Sequence, residues 1–477
     1  MKEIFKKTKA LKPKLRQIIY REWNYYQFFP CYVSMNFMGD PTLKFFDVFQ
    51  YLFSQSNPFT RLSTFLLWPF RILRLFKNQK TDGLSLPVST KGINSIRFST
   101  NFTNFYFYLS IRQMLDEDKI SKKEKIEWLK VLYQIVNVML QNSKILNING
   151  DEFETYNFFL ISEFKKSTTS FGYNFLKIIG LTKIESDADD TFISLEVFNN
   201  YLKFVDENPG LGLEGRGIQL LKSDIIRLLK NPYWRLLKYY QLRPENKISA
   251  DVNYTDVEPF GGISTWFGNI LSVDPPDLVV NVNVLRSLLV NRNYSKLFAN
   301  DEAMDVAKYI LNFIRQNVSN GAFRSNRGYC FYIPEMFVAM FSLLWNEFES
   351  LNHVEKNKLD PRKIMNEIRN EVISYLLQEI SNNLNIFNPL DSALMLIALL
   401  KLNYFKESYM KDLLENIYNR FVKDKYCYQA YEIFKGKIPT HMVYGSEATT
   451  IAIVYYSISE LEFFLKGEKV FKDTNLE

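Results

Sequence analysis

Cysteine and histidine are nearly missing from this chain of 477 residues. Cys31, Cys330 and Cys427 are odd in number, far apart and in no C-x-x-C pair, which argues against a disulfide framework and a thiolate zinc site. His353 and His441 are the only histidines, so serine-type triads, His-rich metal sites and the H-E-x-x-H metal helix are all but excluded. Acid–base chemistry therefore falls to carboxylates. Glycine is scarce, at 18 residues, which disfavours a loop-rich β fold. No strict repeat runs along the chain, which argues against an array of identical units. Long apolar runs are also short in supply: the least charged stretch, YCFYIPEMFVAMFSLLWN, contains Pro334 and Glu335 and reads as a buried helix starting near the proline. The basic opening, MKEIFKKTKALKPKLRQ, is not followed by a compact apolar run and a small-residue cleavage site, so no signal peptide is expected and a cytoplasmic location fits.

What the chain does hold is a globular balance of 47% hydrophobic and 23% charged residues, enough for a sizeable core. Aromatics reach 16%, with 41 Phe and 29 Tyr, which suits a helical protein with ring-lined interiors. Charge is uneven. Residues 1–80 carry fourteen Lys or Arg against four Asp or Glu, a net +10, and since the whole chain is +7 the remainder sums to about −3. Residues 1–85 are thus expected to form a basic, aromatic helical layer. It would either pack on the body, touch an anionic membrane surface through residues 1–80 or, least favoured, meet nucleic acid. The polar stretch KNQKTDGLSLPVSTKG, at 77–92, is the best boundary.

From about 90 to 470 helical periodicity recurs. SKKEKIEWLKVLYQIVNVML places apolar residues at three- and four-residue spacings behind a capping Ser121. Further helices are expected near 190–205, 217–230, 280–292, 301–318, 334–349, 361–383, 390–403, 409–422 and 447–466. Helix pairs repeated without sequence identity describe an all-α fold, an (α/α)6-type toroid with an N-terminal helical extension.

The unusual local feature is Asp187-Ala188-Asp189-Asp190-Thr191, three carboxylates at the mouth of a helix. One explanation is capping: Asp189 or Asp190 satisfies free amides and favours the positive end of the helix dipole. The other is chemical. Crowded carboxylates cannot all ionise cheaply, so one persists as a neutral acid, and a neutral acid facing an apolar, ring-lined cavity can protonate a double bond or an epoxide.

The D-x-D-D-T pattern resembles that of class II terpene cyclases, the family of squalene-hopene cyclase. So do GGISTWFGN, DPPDLVVNVNVLRSLL, GYCFYIPEMFVAMFS, FNPLDSALMLIALL and YGSEATTIAIVYYSISEL, which cover roughly 187–461. Val282 and Glu447 depart from the usual forms, and the Q-W repeats are missing. The resemblance implies an isomerase of the terpenoid-cyclase toroid type, acting on an isoprenoid. Asp189 would be the general acid, with Asp187 and Asp190 tuning it and Thr191 starting the helix beneath. Trp266, Phe267, Tyr329, Phe331, Tyr332 and Tyr444 would face the carbocation. Asn281 and Asn283 would cap a helix start or reach the substrate or the acid, and His441 would pair with the aspartates. No cofactor is implied, except magnesium if the substrate is a diphosphate.

The rivals fare unequally. A class I terpene synthase lacks its D-D-x-x-D box here, and a protein prenyltransferase lacks its Asp–Cys–His zinc set. An (α/α)-barrel glycosidase would use paired carboxylates, from Asp189, Glu258 or Asp256, with aromatic sugar platforms. A toroid that binds a lipid, membrane or protein partner without catalysis is the alternative from another class.

Overall fold

The computed structural model describes residues 1–26, 31–35, 95–98, 100–117, 120–157, 186–208, 216–243, 260–267, 276–324, 332–423, 432–435, 442–445 and 447–467. Its principal helices are α1 (Lys2–Lys9), α2 (Lys12–Tyr26), α3 (Asn101–Leu115), α4 (Lys122–Gln141), α5 (Ala188–Glu207), α6 (Arg216–Leu229), α7 (Tyr233–Tyr240), α8 (Leu278–Val290), α9 (Asp301–Ser319), α10 (Pro334–Glu349), α11 (Ile364–Asn383), α12 (Pro389–Lys401), α13 (Glu407–Lys423) and α14 (Glu447–Gly467).

Six of these close a ring. In order, α3, α5, α8, α10, α12 and α14 each pack on the next, and α14 returns to α3. Between them in the chain lie the outer helices: α4 against α3 and α5, α6 against α5, α9 against α8, α11 against α10 and α12, α13 against α12, and α2 against α14. Alternation of outer and inner helices, with the short α7 inserted between α6 and α8 against outer α9, makes an (α/α)6 toroid. The sequence dictates the layering. Every residue of α8 (LVVNVNVLRSLLV) is buried, as are twelve of the thirteen residues of α12 (PLDSALMLIALLK). Helices apolar on all sides can only be stable inside. Outer α9 shows the complementary stripe, with Ala303, Met304, Val306, Ala307, Ile310, Leu311, Phe313 and Ile314 turned inward. Although α14 is long and apolar enough to cross a membrane, most of it is buried in the ring.

Local chemistry sets the helix boundaries. Ser121 accepts from the Glu124 amide at 3.2 Å, and Asn388 and Asp391 form a capping box with Pro389 at the first helical position. Pro334 opens α10. All-helical expectation misses several short strands. Strands β3 (Ser143–Ile148) and β4 (Asp151–Tyr156) pair antiparallel in register from Ser143–Tyr156 to Ile148–Asp151. They turn at Asn149 and Gly150, whose φ values are 51° and 91°, an Asn-Gly two-residue turn of the kind that matches strand twist. A second sheet runs in the order β2 (Ser95–Phe98), β1 (Cys31–Met35), β8 (Met442–Gly445), β7 (Glu432–Lys435).

At Gly261, in the segment 260–267, the chain lies close against outer α9. Gly261 has φ +93°, and a Cβ there would lie 2.5 Å from the Tyr309 carbonyl oxygen on α9. Gly261→Ala is therefore expected to lower stability by about 2 kcal/mol or more, read as a lower denaturant midpoint. A midpoint within error of the parent would show that this loop is free to move away from α9.

Candidate functional site

Chain starts of the inner helices gather at one end of the ring. The Phe102 amide, at the start of α3, donates to Asp190 at the start of α5. Tyr332, just before α10, and Asn283, in the second turn of α8, both reach Asp189. These parallel starts bring positive helix ends and free amides to one mouth.

The aspartate cluster divides into separate roles. Asp187, not Asp189 or Asp190, is the N-cap of α5, and its Oδ1 accepts from the Asp190 amide at 2.7 Å. Its backbone is fixed by antiparallel pairing of Ser186–Asp187 (β5) with Trp266–Phe267 (β6). Asp189, 3% exposed, accepts the Asn283 amide on Oδ1 at 2.8 Å and the Tyr332 hydroxyl on Oδ2. Burial pushes its carboxyl above the usual range, against the lowering pull of those two bonds and of Arg286. Asp190 goes further the same way. Desolvation first, then the charges of Asp187 and Asp189, hold it well above an ordinary aspartate.

The remaining expected residues scatter. Thr191 is buried, and its hydroxyl accepts from the Tyr156 amide at 3.0 Å, so it fastens the β3–β4 hairpin to α5. Asn281 does not cap α8. It bonds the Ile263 amide at 2.7 Å and carbonyl at 3.2 Å, tying the glycine loop to the ring, while Asp277 caps α8. Asn283 likewise does not cap. Phe267 packs on Tyr240 with ring centres 5.0 Å apart, and half-buried Trp266 pairs with Asp187 through the backbone in β6. Tyr444 lies in β8, its backbone paired with Val33 and Phe434. Tyr329, Phe331, His441, Asp256, Glu258 and the 77–92 boundary lie outside the described residues. Among the described residues, no group of three or more His, Cys, Asp or Glu is placed to hold a metal.

Sequence reasoning passed over one pair. Arg286 on α8 and Glu196 on α5 form an ion pair, Nε to Oε2 at 2.7 Å, with both side chains buried. The signal was present: an arginine in the middle of VNVNVLRSLLV and a glutamate in FISLEVF are charges inside helices otherwise built for the core.

No family model matches this chain, and no curated protein does. Among solved structures it is similar to an unsaturated glucuronyl hydrolase specific for heparin, at 13% identity and a TM-score of 0.42, over 87% of this chain and 99% of that chain. The class II terpene cyclase resemblance is thereby corrected, and with it the isomerase, isoprenoid and carbocation reading: the similar structure is a hydrolase, and no family or curated match supports a cyclase. Five motif residues misled for a physical reason. Asp187 caps and Thr191 fastens a hairpin, and acids favour a helix start in any protein, so much of D-x-D-D-T is met by helix-terminus chemistry that carries no isoprenoid signal.

Proposed function

We propose that the protein is an enzyme that cleaves a glycosidic bond, with Asp189 donating the proton to the leaving oxygen. One observation carries this reading: a buried carboxyl at the mouth of the toroid, held by Tyr332 and Asn283 and kept above the ordinary carboxylate range by desolvation. A glycosidic oxygen is weakly basic, so its departure calls for a carboxylic acid that is still protonated near neutrality. Scarcity of histidine and cysteine points the same way, because a carboxyl pair needs neither. Asp187 and Asp190 complete the acidic set, with Asp190 held well above an ordinary aspartate by burial and by its neighbours' charges, and Asp187 fixed by its capping bond.

The test is a panel of aryl glycosides and polysaccharides, following phenol release and new reducing ends with wild type and Asp189→Asn. Cleavage of at least one substrate, lost in the variant, supports the reading; a panel left entirely uncleaved, or one cleaved equally by the variant, overturns it. Tyr332→Phe supplies a finer check. The Tyr332 bond favours the ionised form of Asp189, so its removal raises the carboxyl further. The alkaline limb of the rate profile, where the acid loses its proton, is expected to move to higher pH by about half a unit or more. A limb that stays in place or moves to lower pH would remove Tyr332 from the site.

A further inference from the structure

Beneath the proposed acid lies a buried ion pair. Arg286 is 1% exposed. Its Nε donates to Glu196, its Nη1 donates to the Met340 sulfur at 3.2 Å, and its guanidinium lies 4.7 Å from the centre of the Phe105 ring. Inner helices α3, α5, α8 and α10 thus meet on one cation. Burying such a pair returns little net stability, since apolar residues of similar volume often serve as well.

Its level in the barrel is informative. Arg286 follows Asn283 by three residues, about 4.5 Å along α8, while Glu196 follows Asp189 by seven, about 10.5 Å along α5. Asn283 bonds Asp189, so the guanidinium stands between the two carboxyls of α5. We propose that Arg286 is a positioning residue for Asp189: clamped by Glu196 and Phe105, it sets a fixed positive charge under the carboxyl and so governs the pH at which Asp189 exchanges its proton. This deepens the proton-donor reading and rests on it.

The other groups facing Asp189 are Tyr332 before α10, Tyr106 on α3, Asn283 on α8, and Asp190 beside it. Among these described neighbours Arg286 is the cation, and its attraction opposes the effect of burial. Facing Glu196 are Arg286, Glu347 of α10, Lys203 of its own helix, Tyr456 of α14 and Tyr108 of α3.

The experiment uses the full chain carrying Glu196→Gln, or Glu196→Gln with Arg286→Met. Melting temperature is followed against pH for each protein and for its Asp189→Asn counterpart. The pH at which their difference levels off reports the ionisation of Asp189 without any substrate, and the alkaline limb of the rate profile is a second reading. Glu196→Gln frees the guanidinium charge and is expected to lower the midpoint by about one pH unit; the double variant removes the cation and is expected to raise it by about one unit. A merely structural pair would lower both melting temperatures and leave the midpoint alone. An unmoved midpoint in Glu196→Gln, or shifts of one sign in both variants, overturns the proposal, and Glu196→Gln decides by itself should the double variant fail to fold. Midpoints that move in a protein that cleaves no glycoside would sink the proposed function and leave the charge tuning standing.

Discussion

Asp189→Asn is expected to cut the turnover of unactivated glycosides by roughly 10²- to 10⁴-fold, the range that one positioned acid contributes. Asparagine keeps the shape and still meets the Asn283 and Tyr332 side chains, but has no proton to give. The loss should shrink as the leaving group improves, because a nitrophenolate departs without full protonation, whereas a sugar alcohol does not. An equal loss across leaving groups would mean that Asp189 supports the fold or binds substrate. Stability offers a second, opposite sign. Burial raises Asp189 in the folded state, so the fold binds its proton more tightly than the unfolded chain does. That preference costs nothing below the ordinary aspartate value of about 4, and destabilises progressively as pH rises through the raised folded value. The variant should therefore match wild type in acid and melt higher near neutrality. A variant that melts lower than wild type at pH 7 would show that the carboxylate is stabilised in place.

Much of the architecture was legible before any coordinates, for reasons visible in individual helices. Periodicity placed α9 at 301–318 against the observed Asp301–Ser319, and Pro334 marked the start of α10, because apolar stripes and caps are local. Strand pairs were not legible at this level, although Asn149-Gly150 is a hairpin signal that ring-rich helices overshadowed. Roles within the site were the least accessible. Asp187, Asp189 and Asp190 look alike on paper. Only the bonds from Tyr332, about 140 residues away, and from Asn283 separate a held acid from a cap, and contacts that distant leave no local periodicity. Arg286 shows the converse: its anomaly was local, but its partner Glu196 lies 90 residues away.

Deleting residues 2–26 is expected to unfold the barrel rather than trim an appendage from it. In the ring α2 occupies the sixth outer position, against α14, and α1 packs on α13. Ile4, Leu11, Leu15, Ile18, Ile19 and Trp23 are all buried, and at about 2 kcal/mol for each their burial amounts to roughly 10 kcal/mol, the whole net stability of a typical domain. The basic charge of this segment is used within the chain as well. Lys12 is buried and pairs with Glu117 and Glu462, Lys9 reaches Glu462 at 2.6 Å, and Arg16 reaches Glu117 at 2.5 Å. Against the raising effect of burial, Lys9 and Lys12 hold Glu462 down at about 2, well below an ordinary glutamate. It is only about a third buried, so each exposed contact adds little by itself. Without α1 and α2, Glu117 and Glu462 would lose the cations that those helices supply, and α14 an apolar flank. Circular dichroism and gel filtration of the shortened chain should show lost helix or aggregation. A segment whose task was to meet an anionic membrane would leave a folded, soluble toroid behind when removed, and that result would return residues 2–26 to the status of a detachable layer.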